Sequence, residues 1–129
     1  MKQEEQVGRV VYYKDRRGNE PVKKFIDELA KKTDKHSRIN LVKIRDYIRI
    51  LSIHGKGAGE PYIKHIKNDI WELRPIKNRI IFAGWNENRF ILLHHFVKKT
   101  GPTPREEINT ALRRLEDAKM QQKEKERGK

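Results

Sequence analysis

Between Ile66 and Lys99 three strand-like runs follow one another with only short turn signals between them, and that spacing most constrains the fold. The first run, Ile66 to Leu73, ends in clean alternation, with Ile70, Glu72 and Arg74 on one side and Trp71 and Leu73 on the other. Pro75 to Asn78 turns the chain into a second run, Arg79 to Trp85. Asn86-Glu87-Asn88 then makes a tight hairpin connection into a third, Arg89 to Lys99. Strands joined by such short connections pair antiparallel. The third run puts Phe90, Leu92, His94, Phe96 and Lys98 on one face and Ile91, Leu93, His95, Val97 and Lys99 on the other. These sets share an environment only where the strand twists or bulges.

The flanking segments read as helices. Val10 to Tyr13 is a short strand closed by a polar turn through Asn19. Pro21 opens a helix whose apolar stripe is Val22, Phe25, Ile26, Leu29 and Ala30, proline being tolerated in the first turn because its missing N–H has no partner there. Thr33-Asp34 offers a cap for a second helix, with stripe Leu41, Ile44, Ile48 and Leu51 and a stop at Gly55. Gly55 to Pro61 reads as a connecting loop, since its three glycines fit neither a P-loop nor a dinucleotide fingerprint. After the sheet, Thr103-Pro104-Arg105-Glu106 has the form of a capping box, followed by Ile108, Ala111, Leu112 and Leu115 at helical spacing.

The order strand, helix, helix, three strands, helix predicts an α+β domain: a twisted, mostly antiparallel sheet with an N-terminal helical hairpin and a C-terminal helix. At 129 residues one domain is expected, spanning 1–118. Residues 119–129 lose the apolar stripe and are expected as a basic, frayed or disordered tail.

Function classes are narrowed by what is missing. There is no cysteine, which excludes thiol nucleophiles and Cys-ligated metals. His94 and His95 are adjacent, so on a strand they point to opposite faces and cannot grip one ion together; no metal is expected. Ser37 and Ser52 lie on a helix, without the sharp turn that exposes a nucleophile. The longest apolar stretch, Ile80 to Trp85, is six residues, far short of the ~20 that cross a membrane, so a soluble, cytoplasmic protein without membrane partners is expected. No cofactor motif is present.

What remains is charge. Lys and Arg number 31 against 18 Asp and Glu, a net +13 that seeks polyanions. Between Tyr62 and Lys99 lie Lys64, Lys67, Arg74, Lys77, Arg79, Arg89, Lys98 and Lys99, with His65, His94 and His95. Guanidinium groups bind phosphate bidentately, and preorganised Arg and Lys stabilise the charge that gathers on a phosphoryl group under attack. A His, a Glu or a perturbed Lys would serve as general base or acid. Solvated surface charge on a basic protein is the alternative.

The segments Ile70-Trp71-Glu72-Leu73-Arg74-Pro75, Asn78-Arg79-Ile80-Ile81-Phe82, Leu92 to Thr100 and Thr103 to Ile108, in this order, resemble the RelE/ParE toxin superfamily, most closely its HigB-like branch with phage-derived members. The resemblance runs from about Val10 to Leu115. It implies a RelE-like microbial RNase fold with helices on one face of the sheet. It also implies a type II toxin–antitoxin toxin: a ribosome-dependent, metal-independent mRNA endoribonuclease (an mRNA interferase) that inhibits translation and is silenced by a cognate helix-turn-helix, HigA-like antitoxin.

Carried over by position, Arg79 matches the arginine on the scissile phosphate, Arg74 a basic position at the end of the preceding strand, and Lys98 and Lys99 the later basic pair. Glu72 stands where RelE has lysine, and no tyrosine follows Tyr62, so the tyrosine's role is absent or moved to His94 or His95. The catalytic set is therefore Arg79, Arg74, Lys98, Lys99 and His94, with Lys64, Lys67, Lys77 and His95 as RNA-binding residues. The base stays open among His94, His95, Glu72 and a lysine. The alternatives are a ParE-like inhibitor of DNA gyrase without nuclease activity and a non-catalytic, RNA-binding phage remnant.

Overall fold

A computed structural model of the chain describes residues 9–128. β1 (Val10–Tyr12) is followed by α1 (Pro21–Ala30), α2 (Lys35–His54) and a single 3-10 turn (Gly55–Ala58). Four strands come next, β2 (Ile63–Lys67), β3 (Ile70–Leu73), β4 (Asn78–Trp85) and β5 (Arg89–Val97), and then α3 (Arg105–Arg127). The strands form one five-stranded sheet in the order β1-β5-β4-β3-β2. β1 runs parallel to β5 and every other pair is antiparallel, so the sheet is mixed.

Helix starts and stops follow their expected chemistry in places. Pro21 occupies the first turn of α1. The Asp34 carboxylate accepts from the backbone N–H of Ser37 to cap α2, and Gly55, at φ +59°, ends it. The capping box before α3 does not form: Pro104 stands at the N-cap with no side-chain bond, because the Thr103 hydroxyl is drawn into the sheet by Glu72.

Other expectations need correction. The single run Ile66 to Leu73 is two strands, because Asn68 takes a left-handed conformation (φ +50°) and folds the chain into a hairpin; asparagine tolerates that region well. The helical pair follows a strand, and α1 (10 residues) is half as long as α2 (20 residues), so it flanks only part of it and the two do not make a matched hairpin.

Nor do the helices share one face. Val22, Ile26 and Leu29 of α1 and Ile44 and Leu51 of α2 bury against Ile80, Phe82, Phe90 and Leu92. On the other face Ala111, Leu115 and Ala118 of α3 bury against Ile70, Ile81, Ala83, Ile91 and Leu93. Alternation along β4 supplies both cores, which is why a sheet covered on both sides reads as a continuous apolar run there. The helix also continues past residue 118 to Arg127. Gln121 donates to the Lys14 carbonyl, and Arg16 bonds both oxygens of Glu124, so the basic stretch has partners in the β1–α1 connection.

A bulge in β5 decides where its side chains go. Ile81 pairs with His94 but Phe82 pairs with Leu92, leaving Leu93 as the extra residue. Beyond it the alternation changes phase. Phe90, Leu92 and His95 face α1 and α2, while Ile91, Leu93, His94 and Phe96 face α3. Strict alternation would have put Phe96 beside Leu92, and the bulge moves it to the α3 side.

Among the described residues, no helix is long and apolar enough to cross a membrane.

Candidate functional site

The turn between β3 and β4 builds the centre of the site. Its Ile76 adopts φ +59°, an uncommon state for a β-branched residue that costs about 1–3 kcal/mol. That conformation aims the Ile76 carbonyl at Arg79, whose Nη1 donates to it at 2.9 Å and to the Asn78 carbonyl at 2.8 Å. The turn itself is closed by Asn78 N–H donating to the Pro75 carbonyl at 2.9 Å. Arg79 is thereby fixed as the first side chain to point from β4 toward the α3 side, and it is only 6% exposed.

Glu72, on β3, is 4% exposed and lies between two guanidinium groups. Its Oε2 is 3.4 Å from Arg74 Nε and 3.8 Å from Arg79 Nε, and its Oε1 accepts from the Thr103 hydroxyl at 2.9 Å. Two cations thus share one carboxylate. Burial and the neighbouring Arg74 charge push the Arg79 guanidinium below its ordinary pKa, with Glu72 opposing them. An arginine nevertheless stays protonated, so two guanidinium charges stand against the one carboxylate of Glu72. Among the described residues Arg74 Nε, for all its closeness to Glu72, is buried without a hydrogen-bond partner.

These groups line a cavity of about 220 Å³ roofed by the β5–α3 connection, Lys98 to Pro104. Lys64, Arg74, Arg79, Lys98 and Lys99 face it, against the carboxylates Glu72, Glu106 and Glu107. Lys64 comes from β2, directly opposite Glu72 in the register. Lys98 follows the last residue of β5 and is held by its backbone N–H donating to the Lys77 carbonyl at 2.7 Å. Arg79 is the most deeply buried of these cations, Arg74 and Lys98 are half-buried, and Lys64 and Lys99 are exposed.

His94 stands behind the cavity wall. Its Nε2 is 2.6 Å from Glu107 Oε1, and Arg114 Nη1 lies 3.2 Å from its Nδ1. The same Arg114 nitrogen donates to the Leu93 carbonyl at 2.9 Å. Arginine only donates, so Nδ1 is the acceptor and the imidazole carries its proton on Nε2, toward Glu107.

Of the sequence-derived set, Arg79, Arg74, Lys98, Lys99 and Lys64 come together around one cavity. His94 reaches it through Glu107. The rest do not converge there. Lys67 ends β2 at the far hairpin. Lys77 lines a separate groove with Phe25, His36 and Asn40. His95 lies on the opposite face, stacked on Phe25 at 3.5 Å between ring centroids with its Nε2 at 2.9 Å from Asn78 Oδ1. Burial pushes its pKa down to about 4, so it is a neutral packed ring.

Sequence reasoning missed Thr103, Glu107 and Arg114. Thr103 was legible only as a helix cap. Glu107 and Arg114 sit on α3 among many charged residues, and nothing in the chain marks which of them turn inward. Among the described residues no three His, Asp or Glu side chains converge to hold a metal ion.

Residues 24–116 match the family model described as phage derived protein Gp49-like (DUF891), and the chain belongs to that family. No curated protein matches it.

Proposed function

We propose that this Gp49-like protein is the toxin of a type II toxin–antitoxin pair and acts as a ribosome-dependent, metal-independent mRNA endoribonuclease in the cytoplasm, silenced by a helix-turn-helix, HigA-like antitoxin. The observation that carries the reading is the pair of recessed arginines sharing the single carboxylate of Glu72. A group with that surplus attracts a phosphate, and its rigidity favours the phosphoryl transition state, where negative charge increases, over the ground state. The resemblance to RelE/ParE toxins supplies the substrate and the ribosome, and the family's phage origin agrees with it.

In this reading Arg79 and Arg74 bind the non-bridging oxygens of the scissile phosphate. Lys98 and Lys99 hold the neighbouring backbone at the cavity mouth. Glu72 serves the arginines and not the proton transfer, because both its oxygens are engaged. The ribosome contributes the placing of the message, which relieves so small a protein of building a long RNA groove.

The test is a map of mRNA 5′ ends after a brief pulse of expression, wild type beside Arg79→Ala. Removing one preorganised donor of this kind lowers turnover by roughly 10²–10³. New ends inside reading frames that vanish in the variant support the reading. Growth arrest with DNA damage and uncut mRNA would replace it with gyrase inhibition. RNA binding without cut ends would leave a non-catalytic binder.

A further inference from the structure

Three carboxylates line the cationic cavity, and only one is both anchored and unclaimed by arginine. Glu72 is buried between Arg74 and Arg79. Glu106 is exposed on the first turn of α3. Glu107, 28% exposed at its side chain, reaches the cavity and is held from behind by His94 at 2.6 Å. Arg114 fixes the histidine in turn, at 3.2 Å from Nδ1, and is itself tied to the Leu93 carbonyl. The chain Arg114–His94–Glu107 therefore ends on a carboxylate at the wall of the cavity that Arg74 and Arg79 also line. It has the form of an oriented base: a proton acceptor positioned by a second group, which is positioned by a third.

We propose, resting on the nuclease reading above, that Glu107 is the general base of RNA cleavage and that His94 and Arg114 are its positioning residues. Glu107 takes the proton from the ribose 2′-hydroxyl as the 2′ oxygen attacks the adjacent phosphorus. The bond from phosphorus to the 5′ oxygen breaks, and the departing oxygen takes a proton from solvent. The products are a 2′,3′-cyclic phosphate and a 5′-hydroxyl end, and Glu107 returns its proton to water. His94 donates from Nε2 to Glu107 and holds its carboxylate in place. Arg114 keeps that tautomer, since a second ring proton on Nδ1 would face a guanidinium donor.

The experiment uses ribosomes programmed with a defined message and the full-length protein, with single-turnover cleavage as readout. Glu107→Gln is expected to lower the cleavage rate by roughly 10²–10⁴ with little change in half-saturation, and Glu107→Asp to recover part of it. A message whose 5′-leaving oxygen at the cut site is replaced by sulfur separates base from acid, because the thiolate leaves without a proton. The Glu107→Gln defect is expected to persist on that substrate. Arg114→Met is expected to lower the rate on both substrates while leaving half-saturation near wild type.

Equal cleavage by Glu107→Gln and wild type overturns the assignment while leaving the nuclease reading intact. Recovery of the variant on the sulfur substrate overturns it in favour of an acid. No cleavage by wild type overturns the nuclease reading and this inference with it.

Discussion

Under α3 the sheet presents Glu72, Arg74 and Arg79 to a cavity, with His94 behind its wall bonded to Glu107; under α1 and α2 it presents His95 to a packed wall of Phe25 and Asn78. The two histidines are adjacent in sequence and have the same intrinsic chemistry. Their surroundings give them different work. Beneath α1 and α2 each polar group finds its complement: His95 bonds Asn78, Asn78 donates to Asn40 at 2.8 Å, and Asn40 donates to the His36 carbonyl. Beneath α3 the accounting does not close among the described residues, since two guanidinium groups share one carboxylate and the buried Arg74 Nε, though 3.4 Å from that carboxylate, makes no hydrogen bond. Native interiors rarely leave such groups unmet, so the face with the deficit is the face expected to take a ligand.

The largest test of this contrast is on stability. Glu72→Ala leaves the buried Arg79 and the half-buried Arg74 facing each other with no carboxylate between them. Removing one partner of a buried ion pair costs about 3–5 kcal/mol, and urea unfolding should show a loss of that size. Millimolar phosphate or sulfate should then restore part of the loss in the variant. A variant as stable as wild type would mean the arginines are solvated and the charge surplus is not a site.

A second test sharpens the opposite face. The folded-state pKa of His95 lies near 4, below the 6.5 of an unfolded chain. Between those values the unfolded state binds a proton that the folded state refuses. Stability is therefore full above pH 6.5 and is lost as pH falls toward 4, by roughly 3 kcal/mol at most for that separation. His95→Gln keeps a polar partner for Asn78 but does not titrate, so the difference between the two unfolding curves across that window isolates the histidine. Its cleavage activity is expected to match wild type at neutral pH. A large loss of cleavage would place His95 in the site and erase the contrast between the faces.

The sequence shows these faces unevenly. Strand β4 was legible because Ile80 to Ala83 feeds both cores, and α1 and α2 because Pro21, Asp34 and Gly55 mark their ends with local chemistry. The cationic cluster was legible as charge flanking turns. The bulge at Leu93 was not, because it is set by pairing with β4 rather than by the residue itself. Nor was the destination of Thr103, whose hydroxyl can cap a helix or join Glu72, a residue 31 positions away. Glu107 and Arg114 depend likewise on where α3 lands across the sheet. Local rules settle elements, whereas the site is an assembly of element ends.

The smallest effect asks whether the contrast extends along β2. Lys64 and Lys67 carry the same charge three positions apart in one strand, and sequence alone treats them alike. Lys64 sits opposite Glu72 and lines the cavity, while Lys67 lies at the β2–β3 hairpin, away from it. For single-stranded RNA each phosphate contact adds about 0.7 to the slope of log affinity against log salt. Lys64→Ala is expected to lower that slope by about one such contact and to weaken binding uniformly across sequences. Lys67→Ala is expected to leave it unchanged, because Lys67 does not line the cavity. Both variants remove one unit from a net charge of +13, so bulk attraction falls equally in each. Equal slopes for the two would show that net charge holds the RNA; unequal slopes in the stated order would show that the cavity does.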